Sequence, residues 1–307
     1  MMKKILTIMG LVIGLFCLVA ATYDYLLEMG DKTPTPTDCK KCHTTMHDEW
    51  AKSFHAKAYT NEQFKKASNS YGRQECLACH AAQQIAAEKD LTLRPAHKEE
   101  GITCATCHLR NNMIYGPYKL VAKHKSEQDE SMLKSAFCAG CHQPTFQEWQ
   151  ASGSQKQCQD CHMPRVERKL VQVFPISSFV PKRMAGQHLQ MFDGVFQGAA
   201  ALTGQKGAGS VSITVTNNGA GHNMPTGKYG DYRMVLTTKA VDAGGKEILS
   251  KEEVFAAQKG NGVPFKKAMK YDYLLPAGVG TNYKVSATLV YKASGRPDVA
   301  IASWNAE

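Results

Sequence analysis

Five short runs stand out in this chain for the chemistry their residue types allow. They are Cys39-Lys40-Lys41-Cys42-His43, Cys76/Cys79/His80, Cys104/Cys107/His108, Cys138/Cys141/His142 and Cys158/Cys161/His162, and they use ten of the eleven cysteines. The C-x-x-C-H spacing is that of covalent c-type haem attachment. Two thiols add to the haem vinyl groups, and the adjacent histidine ligates the iron from one side. A zinc cluster would not need a histidine after every second cysteine, and five repetitions argue against chance. The expected cofactors are five haem c groups.

Haem iron in an electron carrier usually has two axial ligands. Besides the five motif histidines, six remain: His47, His55, His97, His124, His188 and His222. Five distal positions and six candidates favour bis-histidine ligation with one histidine spare. If residues 43–56 are helical, His47 lies one turn from His43 on the same face and cannot reach the far side of that iron. His55 is too far along such a helix for the first iron and would project towards the next. His97, among charged residues, also reads as a solvated loop histidine, and His222 as a turn cap. Met163, Met184 and Met224 are alternative ligands, and one of them would raise the potential of its iron.

An internal repeat bears on the choice. CKKCHTTMHDEWAKSFH from Cys39 aligns without gaps to CAGCHQPTFQEWQASGS from Cys138. The cysteines, histidine, glutamate, tryptophan and serine match, while Phe146 replaces His47 and Ser154 replaces His55. His47 is therefore the expected spare, and the distal ligand of the fourth motif is left open. Trp50 and Trp149 are expected to pack against porphyrin.

C-x-x-C-H followed by W-x-x-S-x-H-A resembles the cytochrome c-554 family of multihaem carriers, related to hydroxylamine oxidoreductase. HKEEGITCATCH, YGPYKLVAKHKSEQDESMLKSAFCAGCHQ and CQDCHMP resemble later parts of such chains. NNGAGHNMPTG resembles a loop of multihaem cytochromes that carry a β-domain. The resemblance implies electron transfer in the periplasm or at the cell surface, with His55, His97 and His124 as distal ligands. His188 and His222 would complete the set. The chain departs from four-haem members in having five motifs, and at Ser154.

The elements that must position these residues fall into two kinds, an α+β fold. The motifs occupy residues 39–206 at about one per 25 residues between Cys39 and His162, with few long apolar runs. Mainly helical and irregular chain, including short helices at Asn61–Ser70 and Gln83–Asp90, is expected to wrap stacked haems that replace a side-chain core. A bridge from Met163 to Lys206 should be mostly extended, with a helical piece near Met184–Phe196. From Gly207 to residue 307, β-branched runs such as VSITVTN and YRMVLTTKAV alternate with turn signals at Asn217–Gly219, Asp242–Gly245 and Pro276–Gly278. That pattern predicts a small antiparallel β-sandwich.

At the start, MMKK precedes an uncharged apolar run from Ile5 to Ala21, within a leader spanning residues 1–30. It reads as a signal peptide with Val19-Ala20-Ala21 as cleavage site, or as an uncleaved membrane anchor, which its length favours. A Thr/Pro spacer follows, within residues 31–38. The expected location is the periplasmic side of a bacterial inner membrane, or secreted to the periplasm or cell surface. The formal charge is +10, but the lysines are scattered and not interleaved with aromatics, which argues against nucleic-acid binding. The expected partners are redox proteins, with the quinol pool a further option. An electron conduit is the leading function. A reductase or oxidase of small nitrogen or sulfur compounds needs an open iron, and a membrane-anchored quinol dehydrogenase needs an acid–base group by the first haem. No catalytic constellation is legible, so an electron carrier is favoured over an enzyme.

Overall fold

The computed structural model describes residues 33–85, 91–119, 122, 124–191, 193–227 and 230–307. The expected leader lies outside these residues. Among them no helix is long and apolar enough to cross a membrane. The fold is mixed α+β.

The motif-bearing part is built of short helices. They are α1 (Pro36–Lys40), α2 (Thr44–Lys52), α3 (Glu62–Ala67), α4 (Gln74–His80), α5 (Cys104–His108), α6 (Ala139–Ser152), α7 (Cys158–His162) and α8 (Ile176–Phe179). Caps delimit them. Thr35 and Thr103 close capping boxes at α1 and α5, and the Asn61 side chain accepts the N–H groups of Gln63 and Phe64 at α3. The expected helix at Asn61–Ser70 is thus α3, shortened. No helix is found in the described part of Gln83–Asp90, where Ala82 instead bridges Leu93. Three minor strands follow α5: β1 (Leu109–Arg110), β2 (Met113–Gly116) and β3 (Ser126–Gln128). The bridge forms a hairpin of β4 (Arg165–Lys169) and β5 (Lys182–Gly186). It is a strand pair, with α8 in its loop, where extended chain was expected, and the described part of Met184–Phe196 holds the end of β5 and a 3₁₀ turn at Asp193–Phe196 in place of the expected helical piece.

Seven strands make up the C-terminal part: β6 (Ala200–Gly207), β7 (Ser210–Asn217), β8 (Arg233–Asp242), β9 (Glu247–Ala256), β10 (Ala268–Leu274), β11 (Tyr283–Lys292) and β12 (Val299–Ala306). One antiparallel sheet has the order β10-β7-β6 and the other β12-β11-β8-β9. Alternation decides which faces are buried. Val211, Ile213 and Val215 of β7 and Val285, Ala287 and Leu289 of β11 point into one shared core with Leu236 and Phe255. β6 starts at Ala200, upstream of the composition change at Gly207.

The motif-bearing part has no comparable core. Its buried apolar side chains are few, among them Phe64, Leu77, Ile102 and Met132. In their place runs a cavity of about 2810 Å³ lined by motif cysteines and histidines. That is several times the roughly 300–1,000 Å³ of an ordinary small-molecule pocket.

Candidate haem-binding site

Each motif is folded as a helical turn, and this follows from its spacing. Residues at i, i+3 and i+4 share one helix face, so both cysteines and the histidine of one motif turn to the same side. Motifs two, three and five end α4, α5 and α7. In the first and fourth, the histidine breaks the helix at nearly the same angles: His43 at φ −109, ψ 49 and His142 at φ −106, ψ 37. The repeat seen in the sequence is therefore a repeat of backbone. Pro144 falls in the first turn after the break, where its missing N–H costs little.

Four of the five motif histidines face another histidine. Ring centres are 6.4 Å apart for His43–His124, 6.1 Å for His55–His142, 6.2 Å for His108–His188 and 6.3 Å for His162–His222. An imidazole nitrogen binds a transition metal at about 2.0 Å and its ring centre lies roughly 1.2 Å behind, so two imidazoles across one ion have centres about 6.4 Å apart. The four spacings match that value. The donor set, the spacing and the cavity all fit c-type haems.

The rings are prepared as ligands. The Nδ1–H groups of His43, His80, His108, His162 and His222 donate to the carbonyls of Leu170, Ala58, Tyr115, Gln190 and Asn223, at 2.6–3.0 Å. Occupying Nδ1 leaves the Nε2 lone pair for a metal. Burial pushes His55 down to about 4, helped by His142 and His162, and His188 down to about 3, helped by His108 and Arg168. Burial also lowers His80, His108, His124, His142, His162 and His222.

Three of the facing histidines, His55, His188 and His222, are each held by their own device. The His55 carbonyl accepts the Ile102 N–H at 2.9 Å. Gly101, at φ +66, passes so close that a Cβ there would stand 2.4 Å from the same oxygen. The turn carrying Gly101 is gathered by buried Arg94, which donates to the carbonyls of Ala96, His97 and Gly101. The His188 N–H donates to Glu49 Oε2 at 2.9 Å, and Glu49 Oε1 pairs with Arg168 at 2.7 Å. Beside His222, the Asn223 N–H and the Thr226 hydroxyl donate to Glu148 Oε2 at 3.1 and 2.5 Å. Glu49 and Glu148 are the matching glutamates of the repeat. Arg94 and the two glutamates escaped sequence reasoning. The only available signal was the matched glutamate in the repeat.

Neither of the other two histidines faces a motif histidine. His47 lies one turn from His43, its ring tilted at 55° to that of Trp50 with centres 5.6 Å apart, and hydrogen-bonded to Asp48. His97, expected as a ligand, is placed in the left-handed region (φ 52, ψ 41), with its side chain 61% exposed beside Glu99. Arg94 fixes the His97 carbonyl and so commits the backbone to a turn that sends the ring outward. All eleven histidines lie within the described residues, and His80 is left facing none of them. The ring stacked on it is that of Phe64, at 3.6 Å and 5°. Ser154, which stands where the repeat has His55, packs against Gly221, where a Cβ would lie 2.6 Å from its hydroxyl. The tryptophans of the repeat line the cavity and are tied back, Trp50 to the Ile102 carbonyl and Trp149 to that of Lys156.

Contacts between motifs give their neighbours. The side chains of Cys39 and Cys104, of Cys79 and Cys141 and of Cys138 and Cys158 lie close together, and Cys107 lies near Cys138 and Cys141. The order is one, three, four, five, with motif two attached at motif four.

A family model described as cytochrome c554 and c-prime matches residues 38–109, which hold the first three motifs. Among solved structures, a penta-heme cytochrome c552 from Thermochromatium tepidum is 18% identical, with a TM-score of 0.61 over 89% of this chain and 99% of that one. A glycosyl hydrolase family 2 member from Bacteroides cellulosilyticus is 13% identical over 36% of this chain and 13% of that one, at a TM-score of 0.20 that carries no argument. No curated protein matches the chain.

Proposed function

We propose, for a chain that is a multihaem c-type cytochrome resembling the cytochrome c554 family and extended by a C-terminal β-domain, that it conducts electrons through five haem c groups, four of them held between two histidines. When bound, haem c supplies one-electron iron chemistry. The observation that carries the reading is the set of four histidine pairs with ring centres 6.1–6.4 Å apart. Paired histidines saturate an iron, so these four positions take and give electrons without binding substrate. On this reading motif one leads through motif three to motif four, and the path divides there towards motifs five and two. The two sheets form a sandwich whose loop around His222 closes the motif-five end. Location outside the cytoplasm, at the periplasmic face of a membrane or at the cell surface, follows from covalent haem attachment. Donor and acceptor would be redox proteins, with quinol a candidate donor at motif one.

One observation favours a second role at one end of this path. His80 is prepared like the other motif histidines, with Nδ1 bound to the Ala58 carbonyl at 2.6 Å, yet faces no histidine. An iron held there would keep an open position, as a reductase or oxidase of small nitrogen compounds requires.

Haem content by mass spectrometry, with low-temperature EPR of the oxidised protein, tests both statements. Five haems with four low-spin signals and one high-spin signal are expected, and nitric oxide should bind at the high-spin centre alone. Five low-spin haems would remove the open position. Fewer than four low-spin haems would overturn the pairing.

A further inference from the structure

The hairpin of β4 and β5 ends in a loop with two of the most exposed large side chains described, Phe174 at 81% and Phe179 at 85%. Exposed aromatics at a loop tip are costly in water and mark a surface that something covers. The loop is not loosely attached. The His43 Nδ1–H donates to the Leu170 carbonyl at 2.7 Å, the Gln172 N–H donates to the Cys42 carbonyl at 2.9 Å, and Lys169 reaches the Ser177 carbonyl at 2.5 Å. The aromatic tip is thereby pinned to the first motif.

Charge is distributed to match. Residues 165–186 hold five basic side chains and one acid, Glu167. Lys182 and Arg183 are exposed at the stem, with half-exposed Met184 beside them. Arg168 is consumed by Glu49, and Lys169 by its carbonyl. The result is an apolar tip over a basic collar. A lipid surface asks for this order: aromatic rings at the level of the headgroups and acyl boundary, and cations against anionic headgroups.

The position in the chain adds an independent argument. The uncharged run Ile5–Ala21 is joined to the first motif through the Thr33–Thr37 spacer. Two apolar segments more than a hundred residues apart in sequence are thus both tied to the first motif. A bilayer accounts for both, whereas pairing of two hairpins would leave the basic collars facing each other.

We propose that the Phe174/Phe179 hairpin tip seats the protein on an anionic lipid bilayer, with the first motif facing the membrane. The inference deepens the proposed location and is independent of the number of open irons. Hydrogen-exchange mass spectrometry on the holoprotein tests it, with and without vesicles of phosphatidylcholine containing phosphatidylglycerol. Exchange in peptides covering residues 170–184 should slow several-fold on adding vesicles. Peptides around Leu274, equally exposed at 85% on β10, should not change. Phe174→Ser with Phe179→Ser should abolish the slowing without altering the haem spectra, since both side chains lie in solvent. Pure phosphatidylcholine should give less slowing. If the protein sediments with vesicles but the hairpin exchanges as before, the membrane location stands and the hairpin contact is overturned. Protection that appears without vesicles and grows with protein concentration would overturn it in favour of self-association.

Discussion

The backbone N–H of His188 donates to the carboxylate of Glu49, 139 residues earlier in the chain, at 2.9 Å. One repeat later, Glu148 grips the loop of His222 through the Asn223 N–H and the Thr226 hydroxyl. The same helix position in each repeat therefore holds backbone at or next to a histidine facing a different motif, the third in one case and the fifth in the other. Glu49→Ala would leave the Arg168 guanidinium, itself only 10% exposed, without its carboxylate partner and with the Gly186 carbonyl as its remaining contact, at a cost of about 3 kcal/mol. The same change frees the His188 backbone. Its expected signature in EPR is that the low-spin signal of the His108–His188 pair broadens or turns high-spin, while the other pairs keep theirs. Glu148→Ala should act in the same way on the His162–His222 pair alone.

His97 and His47 provide the matching controls. Neither ring faces a motif histidine, so His97→Gln and His47→Gln should leave haem content and every low-spin signal unchanged. His55→Ala should convert the signal of the fourth motif, not that of the first or second. A lost low-spin signal in His97→Gln would return His97 to the ligand set and remove the open position at His80.

What could be read from the sequence divides by range. A C-x-x-C-H motif is a local covalent pattern, so all five were legible. Pairing is a long-range property: His43 meets His124 and His162 meets His222, and no spacing encodes that. Counting histidines gave His97 a place in the ligand set, whereas its placement depends on a turn gathered by Arg94, which leaves the ring exposed. In the β-domain, strands with β-branched alternation were found. β6, with the sequence AALTGQKG, and β10, AMKYDYL, carry few such residues and are held by pairing to β7 on either side. The predicted helix at Gln83–Asp90 had suitable composition, but its described start is drawn into backbone bonds with Thr92 and Thr106.

The two parts of the fold are also joined at Asp231, which links Gln63 to Ser294, and this joint should respond to pH. Burial raises the Asp231 carboxyl, but hydrogen bonds from Ser294 and from Gln63, the latter at 2.7 Å, outweigh it and hold the group below its usual 3.8. A lowered folded-state value means that ionised Asp231 contributes stability above the unfolded value, and that this is lost as pH falls through the folded one. Asp231→Ala should therefore cost about 2 kcal/mol near neutral pH. Thermal melts of the two proteins should converge as pH drops below about 4. A gap that stays constant to pH 3 would show that the carboxylate charge does not matter at this joint.

Gly101 offers the sharpest test of how His55 is placed. Its φ of +66 is one that residues with a Cβ rarely adopt, and a Cβ would meet the His55 carbonyl at 2.4 Å and that of Ala56 at 2.9 Å. Backbone atoms cannot swing aside as a flexible side chain can. Gly101→Ala must therefore strain the turn, by about 1–3 kcal/mol, or move the segment that carries His55. Moving it shifts the ring away from His142, now 6.1 Å distant. The expected result is a protein with full haem content whose fourth-motif low-spin signal is altered or lost, and whose reduction potential at that centre shifts. The His43–His124 pair, held instead through Leu170, should be unaffected. If Gly101→Ala lowers thermal stability yet leaves the fourth-motif signal intact, the close approach is structural only, and the position of His55 must be set by its other neighbours.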